Sequence, residues 1–191
     1  MSMRWIGAVC VLLAGCLLPS PPDPPRYFAP TTEDGMPRAA TNAPVRLAPV
    51  RSPTYLREAM VWRRSEVEYG FYDQRRWTEL PSTYVERALA RGLFAVERTP
   101  GEGTANLPVV YAEVRAFEDV LAPVHEARVA VAIEVVDGRC VLLRTTVAAT
   151  RPLANDDPGA AARGIGEALD EVAQQADTEI RDAVARRQPC S

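Results

Sequence analysis

Apolar residues along this chain recur with two periods, and the periods mark out its elements. In "HEARVAVAIEVV", Ala127, Val129, Val131, Ile133 and Val135 occupy every second position, the spacing of a strand with one buried face. "LPVVYAEVRAFEDV" before it and "RCVLLRTTVAAT" after it read as strands too, and Asp137-Gly138 supplies a tight hairpin turn. The three form an antiparallel meander with one face in the core. Upstream, "VRLAPV" alternates from Val45, with Val45, Leu47 and Pro49 on one face. "RSPTYLREAM" reads as a loop, and "MVWRRSEVEYGFYDQRRW" as a strand, a turn and an aromatic-rich strand. Gly70 marks a bulge or a bend in that second strand.

The helical period governs two other stretches. Over residues 81–92, Pro81 suits a first turn, Val85, Ala88, Leu89 and Gly92 share a face, and Gly92 is placed to end the helix as its C-cap. "PGEG" at 100–103 is a loop. A longer helix spans about 158–187, with Asp157 as cap and Pro158 at its first position. Ile165, Leu169, Val172, Ala176, Ile180 and Ala183 form its buried stripe, while Glu167, Asp170, Glu171, Gln174, Asp177 and Arg181 cover the outer face. The order of three strands, a helix, three strands and a helix predicts an α+β domain. Its sheet is antiparallel or mixed, with the two main helices packed on one face.

The N-terminus follows neither period. Arg4 gives a basic start, residues 5–13 an apolar run too short to span a bilayer, and Ala14-Gly15 small residues before Cys16. Residues 1–15 therefore read as a signal peptide, and Leu13-Ala14-Gly15-Cys16 resembles a bacterial lipobox, in which the cysteine thiol takes a diacylglyceryl group and becomes the first mature residue. Several acyl chains hold a protein on a membrane where one does so only marginally. Leu17 stands where an aspartate would resemble an inner-membrane retention signal, so under the enterobacterial sorting rule the expected address is the outer membrane. Residues 16–44, with Pro19, Pro21, Pro22, Pro24 and Pro25, read as a Pro-rich tether leading to a single domain over 45–191. Tyr27-Phe28 either docks as a first strand or lies in solvated linker.

Charge and chemistry narrow the function by exclusion. The formal net charge is −3, and all 22 basic side chains are arginine, which reads as codon bias and not as a polyanion site. A cell-envelope address also argues against nucleic acid. With Cys10 removed and Cys16 acylated, Cys140 and Cys190 remain, either as a disulfide in an oxidising compartment or as two thiols too far apart to meet. No HExxH, CxxC, GxSxG or phosphate-binding glycine loop occurs, so no catalytic residue, metal or cofactor is expected. His125, the sole histidine, reads as a surface residue beside a strand start. Asp156-Asp157 fits helix capping and Glu118-Asp119 a strand end. "YGFYDQRRW" offers either a core-facing aromatic row or a partner surface, since Tyr, Trp and Arg are common interface anchors.

Taken together, the lipobox, Tyr27-Phe28, and "VRLAPVRSPTYLREAMVWR" with Pro49, Val50, Pro53, Tyr55 and Leu56 resemble the ABC-type transport auxiliary lipoproteins, the PqiC/YmbA-like group. "RRWTELP" is similar to a further family motif at Arg76, Trp77, Glu79 and Leu80, although Leu80-Pro81 reverses its Pro-Leu order, and Ala29 stands where the family has an apolar residue. The resemblance implies a non-enzymatic partner of an ABC permease and ATPase and of an MCE-domain substrate-binding protein, which move lipids or other hydrophobic molecules between membranes. From composition, the contact surface is expected at Trp62, Tyr69, Tyr72 and Trp77 with nearby arginines. Rival readings are an outer-membrane structural or assembly lipoprotein that binds a barrel or envelope polymer, and a periplasmic hydrolase using His125. The spacing fixes no oligomeric state; a homo-oligomer is compatible with it.

Overall fold

The computed structural model describes residues 23–31, 38–95 and 106–186. The signal segment, Cys16, the 100–103 loop and Cys190 lie outside them. Seven strands, β1 (Arg26–Phe28), β2 (Arg46–Leu47), β3 (Ala59–Arg63), β4 (Tyr69–Trp77), β5 (Val109–Val120), β6 (Glu126–Asp137) and β7 (Cys140–Pro152), form one sheet. Its order is β1-β4-β3-β5-β6-β7, with β2 also paired to β5. The β5–β6–β7 meander is antiparallel, whereas β1–β4, β2–β5 and β3–β5 are parallel, so the sheet is mixed. Helices α1 (Pro81–Leu93) and α2 (Pro158–Ala185) complete the α+β fold.

The helices stand on the face formed by Ala127, Val129, Val131, Ile133 and Val135, all buried. The predicted stripe of α2 closes against it, again fully buried apart from slight exposure at Leu169 and Ala183. Asp157 caps α2 as expected, its Oδ2 accepting from the Ala160 amide at 3.1 Å. Small residues let the layers approach closely. A Cβ on Gly164 would meet the Leu153 side chain at 2.7 Å and the Ala127 Cβ at 3.0 Å.

Four sequence expectations are resolved or corrected. Of the two readings of Tyr27-Phe28, docking as a first strand is the one observed: β1 joins the sheet edge beside β4, and Ala43 is buried in the core, so residues 16–44 are not wholly a solvated tether. Composition pointed to linker there, but the β4 edge offers unpaired backbone groups that any extended segment can satisfy. Gly92 is not a C-cap. The helix runs on to Leu93, and Phe94 caps it with extended backbone. The end of α1 is satisfied from outside: the Ala43 amide donates to the Leu93 carbonyl at 2.7 Å, and the Arg181 guanidinium donates to the Leu93 and Gly92 carbonyls at 3.2 and 3.4 Å. Arg181 therefore reaches sideways off α2 instead of lying on its outer face. Gly70 sits in regular pairing opposite Trp62, and a Cβ there would meet the indole at 2.4 Å, so glycine provides clearance for the ring. The bulge is elsewhere, in the stretch of β4 between Phe71 and Arg76, which faces only Ala59 to Val61 of β3.

Candidate protein-interaction surface

That bulge decides where the aromatic residues point. In an unbroken strand Tyr69, Phe71 and Trp77 would share a face, because side chains alternate. The extra residues between Phe71 and Arg76 invert the alternation. Tyr69 and Phe71 point to the face the helices leave open and are 45% and 48% exposed. Trp77 turns into the core and is 1% exposed, its ring edge-on to Phe117 at 5.2 Å and to Tyr84 at 6.4 Å. The four residues expected to form one contact surface are thus separated. Trp77 is core, Tyr69 is on the open face, and Trp62 and Tyr72 are half-buried on the opposite side, where Asp119 also lies.

The open face has its own cluster. Tyr69 packs against Tyr55 at 5.2 Å and edge-on to Phe71 at 6.3 Å. Arg63 lies over the Tyr69 ring at 5.3 Å. Beneath them Glu118 is 1% exposed, and both of its carboxylate oxygens accept from Arg63, Oε1 from Nη2 at 3.0 Å and Oε2 from Nε. Arg63 also donates through Nη1 to the Glu66 carbonyl at 3.2 Å, which joins β5 to the β3–β4 turn. A buried carboxylate without a partner is strongly unfavourable, so this bidentate pair fixes the platform under the aromatics. It holds the Arg63 guanidinium above its usual range, first through the bond to Glu118. Burial raises the Tyr55 phenol, and the Glu118 charge adds to this. Farther along the same face, Arg51, Tyr111, Glu113, Arg115, Glu134 and Arg144 line a shallow depression of about 660 Å³.

On the helix side, Asp119 is 2% exposed and is gripped from two directions. The Tyr72 hydroxyl donates to Oδ2 at 2.7 Å, and His125 Nε2 lies 2.8 Å from Oδ1. His125 Nδ1 is 3.4 Å from Asp156. Burial, then the bond to Asp119 and that carboxylate's charge, push the Tyr72 phenol well above its usual range. His125 is thus a bridge between the sheet end and the approach to α2. The Glu118-Asp119 pair does lie at a strand end, in the last residues of β5, and there it forms two buried anchors, one on each face. Sequence could not reveal this, because their partners Arg63 and Tyr72 lie 55 and 47 residues away. Among the described residues no group of three or more His, Cys, Asp and Glu is arranged to hold a metal, and no helix is long and apolar enough to cross a membrane.

Residues 28–176 match the family model of the ABC-type transport auxiliary lipoprotein component. The chain belongs to this family. Members are transport auxiliary lipoproteins of the cell envelope. The fold is shared with the crystal structure of protein XCC0632 from Xanthomonas campestris, at 18% identity and a TM-score of 0.69, covering 84% of this chain and 98% of that one. It is also similar to the crystal structure of an uncharacterized protein, at 11% identity and a TM-score of 0.57, covering 85% and 99%. No curated protein matches the chain.

Proposed function

We propose that this auxiliary lipoprotein is held by acyl chains on Cys16 at the periplasmic face of the outer membrane, and that it serves an ABC/MCE-type system moving lipids or other hydrophobic molecules between the membranes. In this reading the open sheet face receives the MCE-domain protein, with Tyr55, Tyr69 and Phe71 as anchors and the Arg63–Glu118 pair as their support. Trp62 and Tyr72 stand on the other side of the same strands and play no part in that contact.

The observation that carries the reading is the uncovered face itself. Half-exposed aromatic rings stand together on a rigid, desolvated ion pair, in a chain of a transport auxiliary family. Aromatic and arginine side chains clustered in this way are typical of interface anchors, and such patches on soluble domains usually mark contact sites. Affinity purification of the tagged chain after cross-linking in cells tests the role. Recovery of an MCE-domain protein with its permease and ATPase supports it. Recovery of a β-barrel or peptidoglycan without them would favour a structural lipoprotein instead.

A further inference from the structure

The sheet has two ends, and the chain's route to Cys16 selects one of them. β3 and β5 finish, and β4, β6 and α2 begin, at the end that carries the β3–β4 turn and the β5–β6 connection. β1 runs parallel to β4 with Arg26 opposite Arg75, so the segment before β1 enters from that same end. From Arg75 back to Tyr69 the strand covers about 20 Å at ~3.3 Å per residue. Cys16 lies ten residues before Arg26, a length of chain that can reach up to about 33 Å at ~3.3 Å per residue. Cys16 can therefore stand level with the β3–β4 turn or a little beyond it.

That end also exposes aliphatic carbon at its tips. Val67 in the β3–β4 turn is 91% exposed, and Val124 in the β5–β6 connection is 56% exposed. The two tips form one braced unit. The Leu121 amide donates to the Arg63 carbonyl at 2.7 Å, the Arg64 amide to the Glu68 carbonyl at 3.0 Å, and the Glu68 amide to Ser65 Oγ at 3.1 Å. Behind the tips stand Tyr69, and Trp62 with Arg64 over its ring at 5.8 Å. Tyrosine, tryptophan and arginine set behind aliphatic tips suit the boundary between headgroups and acyl chains. Glu66 and Glu68 flank Val67, with Arg64 3.9 Å from Glu68, so the turn favours uncharged headgroups over anionic ones.

We propose that this end faces the bilayer, with Val67 and Val124 seated among the headgroups of the membrane that holds the acyl chains of Cys16. Two valines are too little to retain the domain; they orient it. The β6–β7 hairpin then points away from the membrane, and the open sheet face stands upright for a partner. The inference rests on acylation of Cys16 as proposed above.

The test uses full-length acylated protein in vesicles of phosphatidylcholine and phosphatidylethanolamine, with the unacylated Cys16→Ser chain mixed with the same vesicles as reference. Hydrogen–deuterium exchange is read by peptide. In the acylated protein, segments 64–69 and 121–125 lose most of their exchange, while the 137–141 hairpin exchanges as in the reference. Val67→Asp with Val124→Asp restores exchange at both tips while the protein still floats with the vesicles. If acylated protein floats but the tips exchange as in the reference, or the 137–141 hairpin is protected instead, the orientation is wrong. If Cys16→Ser protein floats as well as wild type, the acylation reading fails and the orientation argument falls with it.

Discussion

Arg63 holds both carboxylate oxygens of Glu118 at the base of the face that the helices leave uncovered. The two residues come from strands that neighbour each other in parallel, and no local sequence rule connects them. Removing one partner leaves a buried charge, which costs about 3–5 kcal/mol, whereas replacing both with apolar residues is often neutral. Glu118→Ala is therefore expected to lose stability of that order, and Arg63→Met with Glu118→Leu to regain most of it. Urea unfolding with an unchanged m value checks both. An unchanged midpoint for Glu118→Ala would show that the pair does not support the face.

Tyr72 gives the protein a limit on its alkaline side. Its phenol is raised in the folded state, so the neutral form is favoured there. The stability it contributes is complete below the unfolded tyrosine value of about 10, and it is lost as pH rises through the folded one. Wild-type stability should fall more steeply above about pH 10 than that of Tyr72→Phe. At neutral pH the variant loses about 1 kcal/mol, the usual net worth of one hydrogen bond, and His125 still partners Asp119. Thermal melts of the two proteins across the alkaline range check the difference in slope.

Arg181 ties three segments together, since Nη2 lies within hydrogen-bond reach of the carbonyls of Thr41, Gly92 and Leu93 while Nε donates to Asp177. Arg181→Ala should cost about 1–3 kcal/mol, the penalty for partly buried acceptors left without a donor. Amide exchange near Ala43 and Phe94 should rise with it. Arg181→Lys keeps the charge but not the planar fork, and should recover only part of the loss.

Cys140 opens β7, and α2 runs back beside β7 from Pro158 to Ala185. A helix of that length spans about 42 Å at 1.5 Å per residue, close to the length of β7, so its end returns to the level of Cys140. A Cys140–Cys190 disulfide is therefore expected. Closing that loop contributes about 4 kcal/mol on the chain-entropy model. Intact protein denatured without reductant should show no reactive thiol at either position; two titratable thiols would exclude the bond.

Much of this architecture is legible in the sequence, for physical reasons. The alternation from Ala127 to Val135 and the stripe from Ile165 to Ala183 are local periods, and each is buried as the period implies. The surface was harder to read. Trp77 shares its parity with Tyr69, and only the long bulge after Phe71 sends the two side chains to opposite faces. Tyr55 lies in a family motif and Phe71 in the aromatic stretch, but neither signal places them together on one face, and the burial of Glu118 has no local trace because Arg63 is distant in sequence. Long-range pairing, bulges and side chains that reach sideways, as Arg181 does, leave no periodic trace.

In the proposed function the open face, not the helix layer, meets the transport partner. A photo-crosslinking amino acid placed at Tyr69 or Phe71, and at Glu167 on α2 as reference, distinguishes the two faces in living cells. Positions 69 and 71 are expected to capture an MCE-domain protein, and position 167 is not. Capture of that protein from position 167 alone, or capture of a barrel or envelope polymer from 69 and 71 with no MCE-domain protein, would contradict the proposed contact.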